Sequence, residues 1–284
     1  MLCEIGAVAD RAREARREAS HSAIGCADFP QPVRALAEAT APQAVDTRRM
    51  LPLSDGIPAR RFPIVTIALI AANFAVWLFY EQPHLNSSIH DASFYPCSVD
   101  GSCHAPLPWA VSWFTAMFMH ASWGHILGNM LFLAIFGKNV EDSFGRLGYL
   151  TFYVAGGFVA TLTQASMTLL FGNQASGQVP NLGASGAIAA VLGAYFVLYP
   201  NSRILTLVFI FPIKIRAWFF LGAWFLFQLF DANFGMFSDK TDGGGTAFFA
   251  HVGGFIFGVL IARLLVASGR IAGRDRFEAY RAAA

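Results

Sequence analysis

The chain has 284 residues, of which 55% are hydrophobic and only 13% are charged, and its net charge is +2. Because soluble domains average about 25% charged residues, this composition excludes an ordinary soluble globule. So small a net charge also gives no support for nucleic-acid binding. Residues 101–137 and 147–202 contain no Asp, Glu, Lys or Arg, and each stretch exceeds the roughly 20 apolar residues that a membrane helix needs.

The N-terminal part, residues 1–61, is polar and rich in Ala, Arg and Glu. It has no apolar face to bury, and before residue 62 it has no apolar run typical of a secretory signal. We therefore predict a disordered cytoplasmic extension over residues 1–61. Met50 opens a short segment that leads into the first apolar run. Translation beginning at Met50 is a hypothesis that N-terminal sequencing of the native protein would test.

Six apolar segments follow, and they predict an all-α polytopic membrane protein with six transmembrane helices. The predicted spans are residues 62–80, 114–136, 147–171, 184–199, 215–230 and 246–266. Basic residues split the neighbourhood of the fifth span, so we expect residues 204–212 to lie at the membrane interface instead. The predicted domains are the extension 1–61, a membrane domain 62–268 and a basic tail 269–284.

The distribution of basic residues predicts the orientation of the spans. With six spans, both termini and two of the loops share one side, and Lys240 is the only basic residue on the other. Since Lys and Arg are retained in the cytoplasm, both termini are expected to be cytoplasmic. The absence of a recognisable organelle signal favours a bacterial plasma membrane.

Cys97 and Cys103 lie in the first loop, on the predicted outer side, with the turn-forming Asp100-Gly101 between them. A small disulfide loop is plausible there in an oxidising compartment. Two unpaired thiols or, less favoured, a zinc-binding pair are the alternatives. Cys3 and Cys26 lie in the extension and are expected to be free.

Four polar residues fall within the predicted spans, where such side chains are costly and usually functional. His125 and Asn129 are one turn apart on the second span, so they share a face. Ser185 begins the fourth span, and His251 lies near the start of the sixth. These three spans run in the same direction, so all four residues are expected in one layer near the outer surface.

This layer has the groups that acyl transfer requires. Ser185 is a candidate nucleophile, and His251 is the candidate base that would remove its proton. The Ser185 amide, at a helix N-terminus, and the side chains of His125 and Asn129 could donate to the oxyanion. Gly183 leaves room for a substrate backbone. Since Asp242 precedes the sixth span, no acid is placed to orient the base, and a dyad is expected.

Small residues predict that the fourth and sixth spans approach closely. Ser185, Ala189 and Gly193 form a stripe at every fourth residue, and Gly254 and Gly258 form a matching pair. Such stripes allow two helix backbones to come into contact, so that a serine hydroxyl on one helix can reach an imidazole on the other.

These segments resemble the rhomboid family of intramembrane serine proteases over about residues 50–270. The motifs that carry the resemblance are Gly183-Ala-Ser185-Gly, Ala250-His251-Val-Gly-Gly, His120-Ala-Ser-Trp-Gly-His125-Ile-Leu-Gly-Asn129, and the segment with Glu141 and Gly145-Arg146. The resemblance implies a six-helix core, no cofactor or metal, and cleavage of membrane-protein substrates near their outward ends. It also implies that the fifth helix and the loop before His251 gate substrate entry.

By that resemblance Ser185 is the nucleophile, His251 the base, and His125 with Asn129 the oxyanion donors. One departure concerns Ala189, because many members have a tyrosine there that stacks on the catalytic histidine. Something else must then hold the imidazole of His251.

Two other interpretations stay open. An inactive rhomboid-like protein would bind or route membrane clients without cutting them. A metal transporter could use His120, His125 and His251 as ligands, although its spans lack the carboxylates of ion pathways. His120 has at most a lesser role in the protease interpretation. The expected partners are the lipid bilayer and membrane-protein substrates, not nucleic acid.

Overall fold

The computed structural model describes residues 51–208, 210–237 and 247–271, and for residues 230–237 it describes the backbone alone. Several predictions concern residues outside these ranges. The first is the extension before residue 51, with Cys3, Cys26 and the proposed start at Met50. The second is Asp242 in the loop before His251, and the third is the tail from residue 272.

The described chain is mostly helical and begins with a short strand. In chain order the elements are β1 (Leu51–Ser54), α1 (Ile64–Val76), α2 (Leu85–Ala92), α3 (Trp109–Thr115), α4 (Trp123–Phe132), α5 (Lys138–Phe144), α6 (Arg146–Phe171), α7 (Gln174–Gly177), α8 (Ser185–Leu198), β2 (Arg203–Val208), β3 (Phe211–Arg216), α9 (Ala217–Phe237) and α10 (Phe248–Ala267). A π-helical turn, Trp77–Glu81, extends α1, and a second, Leu133–Gly137, joins α4 to α5.

Three helical stretches of the described chain are long and apolar enough to cross a membrane. They are Ile64–Ala92, Arg146–Phe171 and Phe248–Ala267. Shorter apolar helices cover Trp109–Phe118, Ser185–Leu198 and Ala217–Leu229. The first, third, fourth, fifth and sixth predicted spans therefore coincide with helices to within a few residues at their ends, while the count of six membrane crossings stays a prediction.

The second predicted span was wrong in its first third. The backbone is extended at Met119 and Ser122, so α3 and α4 are separate helices and not one. The Ser122 hydroxyl accepts a hydrogen bond from the backbone N–H of His125 at 3.2 Å and caps α4. Hydropathy could not locate this break, since the residues on both sides of it are apolar and uncharged.

The all-α prediction was also incomplete, because β1, β2 and β3 form an antiparallel sheet in that order. β2 and β3 pair from Arg203 with Arg216 to Val208 with Phe211, across the segment expected at the interface. β1 belongs to the segment predicted to be disordered. Disorder is therefore the wrong description of residues 51–55, which pair with β2 and with the helices, and the domain boundary at residue 62 stays a prediction.

Asp55, which follows β1, anchors this segment to the helices. Its buried carboxylate accepts a hydrogen bond from Tyr195 at 3.0 Å, contacts the Asn139 amide, and pairs with Lys138 at 3.0 Å. A buried carboxylate is tolerated only with such partners. Because these partners lie on α5 and α8, Asp55 connects the segment after β1 to these two helices.

The core is centred on α8, which is buried along most of its length and packs against α10 and α6. Glycines make this packing possible. A Cβ on Gly258 would overlap the carbonyl of Ala190, and a Cβ on Gly254 would overlap that of Gly186. A Cβ on Gly193 would likewise overlap the backbone of Phe255. The close approach expected from the small residues is therefore present, and it brings the starts of α8 and α10 together.

Glu141 on α5 caps the N-terminus of α1 from a different helix. The backbone N–H groups of Val65 and Thr66 donate to its two oxygens at 3.0 and 2.8 Å, and the Thr66 hydroxyl donates at 2.8 Å. These amides belong to the first turn of α1, where no intrahelical acceptor exists. One buried carboxylate therefore satisfies three donors and joins two segments that are distant in sequence.

Replacing Glu141 with alanine is expected to destabilise the protein by roughly 3–6 kcal/mol, since three donors lose their acceptor. Differential scanning fluorimetry in detergent should record a melting temperature lower by on the order of 10 °C. Glu141→Gln keeps one acceptor oxygen and should lose less, and Asp91→Ala, at an exposed carboxylate, should change little. Equal melting of Glu141→Ala and wild type would contradict the capping role.

Candidate active site

Ser185 begins α8 directly after a glycine with an unusual backbone. Gly183 has φ +123°, a conformation that other residues rarely adopt, and its N–H donates to the carbonyl of Ala116 at 2.8 Å. A Cβ at Gly183 would lie 2.9 Å from the ring of His125 and 3.5 Å from Oγ of Ser185. Both the positive φ and the limited space at position 183 therefore require glycine. Gly183 lies between the hydroxyl of Ser185, the candidate nucleophile, and the ring of His125.

The tautomer of His125 follows from its contact with the extended segment before α4. The backbone N–H of Ala121 donates to Nδ1 of His125 at 3.4 Å. Nδ1 is then an acceptor, and the ring proton lies on Nε2. A Cβ on Gly183 would lie 2.9 Å from this same Nε2. The ring Nε2–H of His125 is thus on the edge of the imidazole that faces Gly183 and Ser185.

Asn129 is oriented by His120, a residue for which the sequence predicted only a lesser role. The Nδ2 group of Asn129 lies 3.0 Å from Nε2 of His120, while Nδ1 of His120 lies 3.3 Å from the carbonyl of Phe118. Since a carbonyl only accepts, Nδ1 carries the proton and Nε2 accepts from the amide of Asn129. Within the described ranges, one amide hydrogen of Asn129 remains for another acceptor.

Glu81 holds the segment that contains His120, and the sequence analysis did not identify it. Its Oε1 accepts from the backbone N–H of His120 at 2.6 Å, and the residue is fully buried. An acidic residue at the end of an apolar helix was the available signal. Its target could not be read from the sequence, since the two residues are 39 positions apart.

His251 lies in the first turn of α10 and is buried. Its Nδ1 contacts the side-chain amide of Gln228 on α9. Its ring also lies 5.9 Å from the ring of Trp224, which is on α9 one turn before Gln228. Among the described residues its Nε2 is buried and has no hydrogen-bond partner. His251 thus has one nitrogen engaged and one nitrogen available.

The starts of α8 and α10 adjoin beside Ser185. A Cβ on Gly186 would lie 3.8 Å from the Cβ of Ala250, the residue before His251, and Gln164 of α6 accepts from the Ala250 N–H at 3.2 Å. Ser185 and His251 are therefore on neighbouring helix ends, with no hydrogen bond between them in the described part of the chain. Catalytic hydrogen bonds are often longer without substrate.

A small cavity of ≈ 30 Å³ opens beside Ser185. Its polar lining comes from Thr161, Gln164 and Asn181, and Gly183 and Ala250 complete the side toward the helix ends. A cavity of this size with several polar partners can hold one or two water molecules. Ser185 therefore has a few polar side chains near it, within a lining that is otherwise mostly apolar.

The other predicted sites have clear positions. Cys97 and Cys103 are joined by a disulfide, with their Cα atoms 5.3 Å apart. The rings of His120 and His125 lie 5.0 Å apart. Within residues 51–271, as far as they are described, no group of three or more His, Cys, Asp or Glu could hold a metal ion, so the transporter interpretation gains no support there.

A mostly helical domain with membrane-length apolar helices, in which Ser185 and the His125 ring both lie beside Gly183 and His251 lies on a neighbouring helix end, defines a class of protein, and sequence comparisons name it. The Rhomboid domain profile matches residues 109–268. The chain belongs to the rhomboid family, as its motifs predicted.

Curated relatives are similar over parts of their length. "Rhomboid protein 1, mitochondrial" from Saccharomyces cerevisiae is 31% identical over 143 residues, which are 50% of this chain and 38% of that protein. "Rhomboid-like protein 11, chloroplastic" from Arabidopsis thaliana is 42% identical over 74 residues, 26% and 24% of the two chains. "Presenilin-associated rhomboid-like protein, mitochondrial" from Bos taurus is 28% identical over 202 residues, 67% and 46%. Each match spans less than half of the relative.

The comparisons contradict the predicted localisation. These relatives are named as mitochondrial or chloroplastic proteins, so the expectation of a bacterial plasma membrane was wrong. The expectation depended on the lack of a recognisable targeting signal. The apolar spans themselves carry no information about the compartment, since targeting signals are addresses read by receptors and not properties of the bilayer-embedded fold.

Proposed function

We propose that the chain is an intramembrane serine endopeptidase that hydrolyses peptide bonds in or near transmembrane segments of membrane proteins. The observation that carries this proposal is the position of His251. In the described part of the chain its Nε2 is buried without a hydrogen-bond partner at the start of α10, next to the helix end that begins with Ser185. An imidazole nitrogen with a free lone pair beside a serine hydroxyl is the arrangement that a general base needs.

The proposed reaction begins when Oγ of Ser185 attacks the scissile carbonyl carbon and its proton passes to Nε2 of His251. The resulting oxyanion accepts hydrogen bonds from the Ser185 N–H, from Nε2–H of His125 and from the free amide hydrogen of Asn129. Collapse of the intermediate returns the proton from His251 to the leaving amine. A water molecule, for which the cavity beside Ser185 has room, then hydrolyses the acyl-enzyme by the same steps.

We also infer that six helices cross the bilayer, with Trp123–Phe144, α8 and α9 joining the three long ones. α8 has 14 residues and is about 21 Å long, which is shorter than the roughly 30 Å hydrocarbon core. Ser185 at its N-terminus would therefore lie below the membrane surface. Non-helical backbone at such depth is tolerated where it is buried in protein or lines a wet cavity, as residues 181–184 do.

The membrane-protein substrate class follows from this depth and from the family. A peptide bond must reach Ser185 among helices that expose apolar side chains outward, such as Leu162, Leu226 and Leu260. A substrate already embedded in the bilayer can approach along those surfaces, whereas a soluble peptide must leave water.

The test is cleavage of a tagged single-span membrane protein in proteoliposomes. Wild type should cleave it, and Ser185→Ala should reduce the rate by on the order of 10⁴-fold or to background. Ser268→Ala, the same change at an exposed position at the end of α10, should cleave like wild type. Equal cleavage by Ser185→Ala and wild type would refute the serine protease. If no substrate is cleaved at all, non-proteolytic binding of membrane clients becomes the better description.

A further inference from the structure

Gln228 contacts the His251 ring at Nδ1, on the side opposite Nε2. It is buried on α9, and its side-chain amide contacts Nδ1 of the imidazole. Among the described residues this is the only hydrogen bond of the His251 ring. Trp224 lies one turn before Gln228 on the same face of α9, with its ring 5.9 Å from that of His251. Two side chains of one helix therefore border the imidazole.

We infer that Gln228 positions the base: its amide oxygen accepts a hydrogen bond from Nδ1–H of His251 and so holds Nε2 unprotonated toward Ser185. This inference rests on the proposed function. In a neutral imidazole only one nitrogen carries the proton, so an acceptor at Nδ1 selects the tautomer in which Nε2 can act as a base. Gln228 would thus take the orienting role that an acidic residue has in a triad.

The protonated state of His251 decides which end of the amide faces the ring. The structure has Nε2 of Gln228 toward Nδ1, but rotation by 180° exchanges the amide nitrogen and oxygen with almost no change of shape. Once His251 has taken the proton from Ser185, both ring nitrogens are donors. Only the amide oxygen can then accept at Nδ1, and the opposite orientation would set two donors against each other.

The surroundings explain why the support comes from α9. Position 189 on α8 carries a methyl group, and Ala189 is fully buried against α10, where a Cβ on Gly254 would lie 3.3 Å from its own. Ala189 therefore has no group that could hold an imidazole. On α9, Trp224 supplies an aromatic face and Gln228 a hydrogen-bond acceptor, so the departure from the family pattern at Ala189 is compensated from another helix.

A neutral amide also suits the depth of this site. A carboxylate would be a stronger acceptor, but an ionised side chain among membrane helices carries a large desolvation penalty. The Gln228 oxygen can orient the ring without a permanent buried charge. The expected consequence is a moderate contribution to rate, smaller than that of the base itself.

The experiment compares Gln228→Leu, Gln228→Glu and the matched control Gln174→Leu, which makes the same change at an exposed position on α7. Gln228→Leu should lower kcat on the order of 10- to 100-fold with KM unchanged, and should slow labelling of Ser185 by a fluorophosphonate to the same degree. Gln228→Glu keeps an oxygen acceptor at the same reach but carries the desolvation penalty of a carboxylate, so it should lose less kcat than Gln228→Leu. Gln174→Leu should match wild type.

The outcomes separate the two proposals. If wild type is labelled at Ser185 and Gln228→Leu reacts equally fast, the positioning role is wrong and the protease stands. If wild type is neither active nor labelled, both fall. If Gln228→Leu melts well below wild type, its lower rate could reflect unfolding, and the tautomer of His251 is measured in the wild-type protein instead. ¹⁵N NMR with labelled histidine should then find the neutral His251 protonated at Nδ1. Protonation at Nε2 would overturn the inference.

Discussion

Replacing His251 with alanine is expected to abolish the reaction of Ser185 with a fluorophosphonate probe. Without the base, the serine hydroxyl keeps its proton and is a poor nucleophile, so the labelling rate should fall on the order of 10³- to 10⁴-fold. The fall should equal the loss of substrate cleavage, because both reactions require the same activated oxygen. In-gel fluorescence after timed labelling in detergent measures the rate directly.

The matched control is His104→Ala, which removes an exposed imidazole from the first loop and should leave labelling unchanged. Ser185→Ala identifies the labelled residue, since the signal must vanish in that variant. Rapid labelling of Ser185 in His251→Ala would remove His251 from the role of base, even if cleavage of the membrane substrate were lost.

Loss of the oxyanion donors is expected to have the next largest effect. His125→Ala and Asn129→Ala should each lower kcat roughly 10²- to 10³-fold with little change in KM, because the hydrogen bonds to the oxyanion strengthen only as charge develops. Steady-state kinetics on the reconstituted protein measures both parameters. The combined variant should lose less than the product of the single effects, since the two donors serve one oxygen.

His120 provides the internal check on this assignment. It accepts a hydrogen bond from Asn129 at 3.0 Å, so His120→Ala should reduce kcat by about 10-fold through a misoriented amide. In an Asn129→Ala background the same substitution should have almost no further effect. If Asn129→Ala keeps the kcat of wild type, neither residue belongs to an oxyanion site.

Residue types and their positions were sufficient to propose candidates for a site, because polar groups in apolar helices are costly and rarely accidental. Ser185, His251, His125 and Asn129 could be chosen as candidates on that ground. The structure places the His125 ring and Ser185 beside Gly183, and the start of α10 next to the start of α8. The partners of these residues could not be chosen. Gln228 and Glu81 are also polar residues in apolar segments, but what each contacts depends on how the helices are rotated and packed.

The errors in the fold have related causes. Hydropathy measures how apolar a segment is, not whether its backbone is helical, so the helix break between Met119 and Ser122 was hidden inside a predicted span. β1 was missed because it has only four residues and its partner β2 is about 150 residues away. β2 and β3 are neighbours in the chain, but their apolar residues and flanking basic residues were interpreted as an interfacial segment. Pairing of distant segments is not encoded in local periodicity.

The sequence by itself determined that the chain is a membrane-embedded rhomboid, since a bilayer imposes long apolar runs and the motifs around Ser185 and His251 are specific. It also determined which side chains are candidates for chemistry. Only the tertiary structure decided which helix end faces which, that Gly183 separates His125 from Ser185, and that Gln228 meets Nδ1 of His251. Those relations depend on helix rotation and on backbone contacts between glycines such as Gly254 and their neighbours, which no single segment specifies.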